Sequence, residues 1–185
     1  MTRAWWHAVS GPSAWTRRLP VIVLTVAGLL VSLNLAFYQY GLVDAVWDPV
    51  FGAASSTTVL TSTLSRSLPV HDAALGAFAY LTETVLEAAG GTRRWRHHPW
   101  LVLLLGLTAA AMATVSIGLI LVQALVVHHF CTLCLVSAGI SLAVPLLVAH
   151  EVNTALRTAY HHHRAGASWP QALRGQPDPA VPASP

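Results

Sequence analysis

Hydrophobic and polar positions along this chain fall into long apolar runs separated by polar segments. Residues 21–40 form the first run. At about 1.5 Å per residue a helix of this length crosses a hydrocarbon core of about 30 Å. Asn34 and Gln39 interrupt it and are expected to face neighbouring helices or the outer interface. Residues 101–127 and 133–149 are two further runs, the latter containing Pro145, a candidate kink. Residues 41–69 are polar, rich in Ser and Thr, and broken by Pro49, Gly52 and Pro69, so they read as a loop with room for a short helix. A loop of that length is often functional. Residues 70–90 are the weakest span. His71 and Asp72 open it, Glu83 and Glu87 sit near its end, and Ala73 and Ala77 place small residues on one face, as close helix contact in lipid favours.

The pattern predicts an all-α integral membrane four-helix bundle with four transmembrane helices. A lead-in of residues 1–19 holds Trp5, Trp6, Trp15, Arg3, Arg17 and Arg18, an interfacial composition. The first apolar run is too long for a usual leader and lacks a nearby cleavage signal, so it reads as a span. Residues 151–185 read as a tail, Pro-rich and mostly disordered.

Composition sharpens this picture. Hydrophobic residues make up 55% of the 185 and charged residues 9%, against about 25% charged in a soluble domain. The basic residues are ten arginines, clustered beside the apolar runs. Clusters of that kind set membrane orientation, and they exclude the basic stripe with interleaved aromatics expected of a nucleic-acid site. With four spans both termini lie inside, nine of the ten arginines lie inside, and Asp44, Asp48 and Asp72 lie outside with Arg66. Arg93, Arg94 and Arg96 decide for the weak second span, because they join Arg17 and Arg18 only if it crosses.

The two cysteines, Cys131 and Cys134, stand three apart at the start of the last span. On a helix their Cβ atoms lie about 5–6 Å apart, and a small shift brings the sulfurs to disulfide geometry. A helix N-terminus also favours a thiolate. The pair is a candidate dithiol switch at the outer face. The alternatives are two buried cysteines acting as small apolar residues, or a zinc site completed by His128 or His129, for which assured ligands are too few. His128 and His129 precede the pair and either support a thiolate or pass a proton, or simply mark the polar end of a span. His161, His162 and His163 resemble a metal tract but lie on the tail and read as incidental. Asp72 is a candidate site residue or a first-turn acid of its helix. Glu83, about 16 Å deeper at helical rise, is expected to pair with an inner arginine.

These parts together resemble the vitamin K epoxide reductase family. The stretch VLTSTLSRSLPVHDAALGAFAY, with Pro69, Gly76 and Tyr80, is similar to that family's loop and second helix. Ser116 and Leu119 match its Ser-x-x-Leu pattern in the third helix, and CTLC opens the fourth. The resemblance covers roughly residues 20–150 and implies a divergent, bacterial-type, multi-pass protein of the cell membrane. It implies a membrane thiol-disulfide oxidoreductase in which Cys134 faces a quinone, menaquinone or a similar one, and Cys131 exchanges with the outside. Asp72, Tyr80 and Ser116 would contact the quinone, and a thioredoxin-like extracytoplasmic protein would be the partner, with lipid around the bundle. The chain departs from the pattern in three places. Asp48 and Ser56 stand at the two loop-cysteine positions, eight apart, and cannot relay electrons. Asp72 replaces an Asn, and Ala138 replaces a Tyr. A non-catalytic membrane scaffold that kept the fold and lost the relay is the alternative.

Overall fold

The computed structural model describes residues 11–62 and 71–175. Trp5, Trp6, Arg3, Arg66 and Pro69 therefore lie outside the described residues. Among those described the secondary structure is entirely helical: α1 (Trp15–Gln39), α2 (Ala53–Leu60), α3 (Asp72–Ala88), α4 (Arg94–His97), α5 (Pro99–Val122), α6 (Thr132–Arg164) and α7 (Trp169–Arg174). A π-helical stretch, Gln123–Val127, extends α5. Pro99 starts α5 at a position where its missing N–H costs nothing. A capping box of Ser168 and Gln171 starts α7.

Three helices are long and apolar enough to cross a membrane: Trp15–Gln39, Pro99–Val127 and Thr132–Arg164. The faces they turn outward carry Val23, Leu30, Leu107, Val115 and Leu146, all exposed. Apolar side chains facing outward around a packed interior mark a protein solvated by lipid. α3 is shorter, with 17 residues and three acids, Asp72, Glu83 and Glu87. It lies along α1. Thr84 donates to Thr25 Oγ1 at 2.9 Å, and Gly28 of α1 meets the Tyr80 ring so closely that a Cβ there would stand 2.6 Å from the ring. The main core gathers Val21, Tyr80, Leu86, Leu105, Ala109, Ile140, Val144 and Val148 from all four long helices.

The bundle has two chemically distinct ends. At one end lie the start of α1, the α3–α5 connection and the end of α6, and with them every arginine among the described residues. Arg94 is buried there. Its Nε donates to Glu151 at 2.6 Å, and its Nη2 to Glu87 at 2.5 Å and to Glu151 at 2.9 Å. Its Nη1 takes the carbonyls of Leu86, Glu87 and Ala89. Arg18, fully buried, spreads over the carbonyls of Glu87, Ala89 and Gly90. These are C-terminal carbonyls that α3 leaves without intrahelical donors. Arg18 is therefore no simple interfacial charge: it closes the end of α3 while its guanidinium stacks on Trp15, 4.3 Å from the ring centre.

Two expectations change here. The tail is not disordered from residue 151. α6 runs through Pro145 to Arg164, because Glu151 anchors that end and Ala155 and Ala159 are buried. α7 then folds back, with His163 stacked on Trp169 at 4.2 Å and its Nδ1 3.0 Å from the Ala167 carbonyl. Of the three tail histidines, His163 thus has a packing role, and residues 176–185 lie outside the described residues. Glu83, in turn, has no arginine partner. Glu87, one turn further, sits at the depth of Arg94 and takes the ion pair.

Candidate redox site at the start of the last helix

The opposite end is built around the first turn of α6. Cys131 is the N-cap residue, in extended conformation, and its sulfur accepts the Cys134 N–H at 3.2 Å. This is the capping role usually filled by Ser or Asp. The two cysteines are free thiols, Cys131 fully buried and Cys134 partly so. The turn before Cys131 is tight: His128 adopts a left-handed conformation at φ 54°, and Gln123, at the start of the π-helical stretch, accepts the Cys131 N–H on its side-chain oxygen at 3.1 Å. π-helical insertions are frequent at functional sites.

Asp48 joins the loop to this helix start. Its carboxylate accepts the Thr132 N–H at 2.9 Å and the Thr132 hydroxyl at 2.5 Å. It also accepts the N–H groups of Phe51 at 2.8 Å and Val50 at 3.0 Å, and the Ser56 hydroxyl at 2.5 Å. Burial opposes its ionisation, yet these donors hold its carboxyl well below the usual carboxylate range. Ser55 adds a bond to the Phe130 carbonyl at 2.8 Å, and Phe51 packs on Phe130. Leu35, Val46 and Leu60 close over Cys131 from α1, the loop and α2. The loop is thus fastened over the first cysteine by a charged cap and an apolar lid.

The electrostatics favour a thiolate on Cys131. The neighbouring Cys134 thiol is the largest influence lowering the Cys131 thiol. With the Ser56 hydroxyl and the Cys134 N–H, this outweighs burial and the nearby Asp48 charge and brings Cys131 to about 7. The loop side chain buried beside the sulfur is therefore Ser56, whose hydroxyl proton is given to Asp48. His128 and His129 are both exposed on the turn.

The remaining candidates separate. Asp72 opens α3, where its Oδ1 accepts the Gln39 amide at 2.6 Å and its own helix's Ala73 N–H at 3.0 Å. It is a first-turn acid tied to α1. Tyr80 is fully buried. Its hydroxyl donates to the Ser137 carbonyl at 2.6 Å and lies 2.7 Å from the Ser141 hydroxyl and 3.1 Å from that of Ser137. Ser116 is buried on α5, but the serines that meet Tyr80 are Ser137 and Ser141 of α6. Ala138 is buried on the same helix one turn beyond Cys134.

Sequence reasoning passed over Gln123, Ser137, Ser141 and the structural part of Arg18. Ser137 and Ser141 carry a legible signal, since they follow Cys134 at spacings of three and seven and so share its helix face.

An outward-apolar helical bundle with two adjacent thiols at a helix N-terminus defines a multi-pass membrane protein with a dithiol site at one end. The vitamin K epoxide reductase family profile matches residues 19–149. That match covers most of the chain and all four long helices up to Ala149, and the protein belongs to this family, a family of membrane redox enzymes. A search of curated proteins returns no match.

Proposed function

We propose that the protein is a membrane thiol-disulfide oxidoreductase in which Cys131 and Cys134 pass two electrons to a quinone, menaquinone or a similar one. The observation that carries this reading is the pairing of the two thiols. Cys131 is poised as the thiolate, and Cys134 stands within hydrogen-bond reach of it at the start of α6. α3 is the fourth span in this reading. The arginine-rich end is cytoplasmic, both termini are inside, and the thiol end faces out, in a bacterial cell membrane.

The residues present fit a quinone. The interior is apolar, and the hydroxyls of Tyr80, Ser137 and Ser141 gather on the α6 face that Cys134 shares. Such a group would supply a two-electron sink beside Cys134. Tyr80 and the two serines would orient it, a task for which Ala138 has no polar atom and Ser116 is a further donor. Asp72, held by Gln39, would border the site. With that sink in place, the two thiols would lose two electrons and two protons between them as the Cys131–Cys134 disulfide forms.

Asp48 and Ser56 do not relay electrons in this reading. An extracytoplasmic thioredoxin-like protein would reach Cys131 directly once the loop lifts. The burial of Cys131 under a hydrogen-bonded loop favours the second reading, a membrane scaffold with inert thiols. One experiment separates them. Reduced protein in nanodiscs is mixed with menaquinone, and thiols are counted by alkylation mass shift. Loss of both thiols in the wild type, abolished by Cys134→Ser, supports the oxidoreductase, and two persistent thiols with every quinone tested support the scaffold.

A further inference from the structure

Glu83 lies on the buried face of α3, between Tyr80 three residues before it and Glu87 four residues after. It is 1% exposed, and neither carboxyl oxygen has a hydrogen-bond partner. The cations nearby are committed elsewhere. Arg94 spends its donors on Glu87, Glu151 and three carbonyls, and Arg18 spends its own on the end of α3. α5 carries no titratable residue. On α6 the acid that reaches this region is Glu151, already bound to Arg94. A carboxylate in such a place has neither counter-ion nor donor and gives up its charge by taking a proton. A neutral acid without hydrogen bonds adds little to packing that Gln or Leu would not. What it adds is a proton that can leave.

The neighbours of Glu83 on either side along α3 face polar surroundings. Towards the arginine-rich end a cleft bordered by Pro12, Arg17, His150, Glu87 and Glu151 reaches Glu87, one turn from Glu83. Towards the thiols, Tyr80 connects through its hydroxyl to Ser137 and Ser141, on the face of α6 that Cys134 shares.

We propose that Glu83 carries a proton from the arginine-rich end of the bundle to the quinone that accepts the electrons of the dithiol. The inference rests on the oxidoreductase reading. In balance, the two thiols lose two electrons and two protons as the sulfur–sulfur bond forms. The electrons pass to the quinone, whose two oxygens each gain a proton to give the quinol. Glu83 supplies one of these protons and is reprotonated from the Glu87 cleft. The Cys134 thiol supplies the other, and the Cys131 proton leaves at the thiol end. Each turnover thus takes up one proton at one end and releases one at the other.

The test uses the full chain in nanodiscs, with Glu83→Gln and Glu83→Asp. Gln matches the neutral acid in shape and is expected to keep the melting curve, while Asp keeps an acid. The infrared difference between the wild type and Glu83→Gln at pH 6 should show a protonated-carboxyl band belonging to the wild type. Loss of a positioned general acid slows its step about 100-fold or more. Dithiol oxidation by a short-chain menaquinone should therefore slow on that scale in Glu83→Gln and recover in part in Glu83→Asp, while oxidation by diamide stays at the wild-type rate. No carboxyl band in the wild type, or quinone oxidation at the wild-type rate in Glu83→Gln, overturns the assignment. A wild type that diamide oxidises but no quinone does overturns the oxidoreductase reading and the proton role with it, while a band that persists still marks Glu83 as protonated.

Discussion

The Asp48 carboxylate accepts the Ser56 hydroxyl at 2.5 Å, across the eight-residue interval where members of this family are expected to carry a cysteine pair. A hydrogen bond thus joins two side chains whose backbones are already placed for contact. The double substitution Asp48→Cys/Ser56→Cys should form an intramolecular disulfide on mild oxidation, with no dimer. Mass shifts after alkylation on the Cys131→Ser/Cys134→Ser background read it directly. Two thiols that stay reactive there would show that the loop does not hold these positions together in the membrane.

How much of this was legible in the sequence depends on where each residue's partners lie. The three apolar helices follow from run length alone, since lipid rewards an unbroken apolar run and the arginines mark its ends. The meeting of Asp48, Ser56 and Cys131 was legible only through the family pattern, because the partners lie 8 and 84 residues apart for Asp48. The pairing of Glu87 rather than Glu83 with Arg94 was not legible. The two acids are one turn apart on the same face, and the depth of Arg94 is fixed by α4, a four-residue helix with no run to announce it. The continuation of α6 to Arg164 was hidden by a polar composition that only the anchoring of Glu151 explains.

Cys131 is brought to about 7 chiefly by the thiol of Cys134. Alkylation of Cys131 should therefore rise as pH passes through about 7 and level off above it, at a rate limited overall by loop opening. Cys134→Ala removes the largest favourable contribution, so the midpoint should move up toward that of an ordinary thiol. The Asp48 charge opposes the thiolate, so Asp48→Asn should move the midpoint down. A pH-stopped alkylation series with mass detection at residue 131 checks both signs. A midpoint unmoved by Cys134→Ala would show that the two sulfurs do not interact in solution.

Gly28 allows α1 and α3 to approach. An added Cβ would stand 2.6 Å from both Cε1 and Cζ of Tyr80, whose hydroxyl is fixed by Ser137 and Ser141 and cannot withdraw freely. Gly28→Ala should destabilise the bundle by about 1–3 kcal/mol, the range for overpacking. Tyr80→Phe frees the ring from Ser137 and Ser141 and should relieve the clash in part, whereas Tyr80→Ala in the same chain should relieve it fully. Thermal unfolding in detergent measures all three, and a Gly28→Ala protein as stable as the wild type would place the helices further apart than described.

Arg94 holds two carboxylates, Glu87 at 2.5 Å and Glu151 at 2.6 Å, with every one of these side chains buried. Removing the cation strands two negative charges in a low-dielectric site and takes a donor from three backbone carbonyls, of which those of Glu87 and Ala89 keep Arg18. Breaking a buried pair from one side typically costs about 3–5 kcal/mol. Arg94→Ala should therefore lower the midpoint of SDS unfolding sharply. Lys has three donors on a point charge rather than five in a planar fork, so Arg94→Lys should recover only part of the loss. The decisive comparison is the triple variant Arg94→Ala/Glu87→Gln/Glu151→Gln. If stranded charge is the main cost, neutralising both acids should restore more stability than it removes when Arg94 is intact, a coupling visible in a mutant cycle. Additive losses across the cycle would mean that the Arg94 carbonyl contacts, rather than its ion pairs, hold the arginine-rich end together.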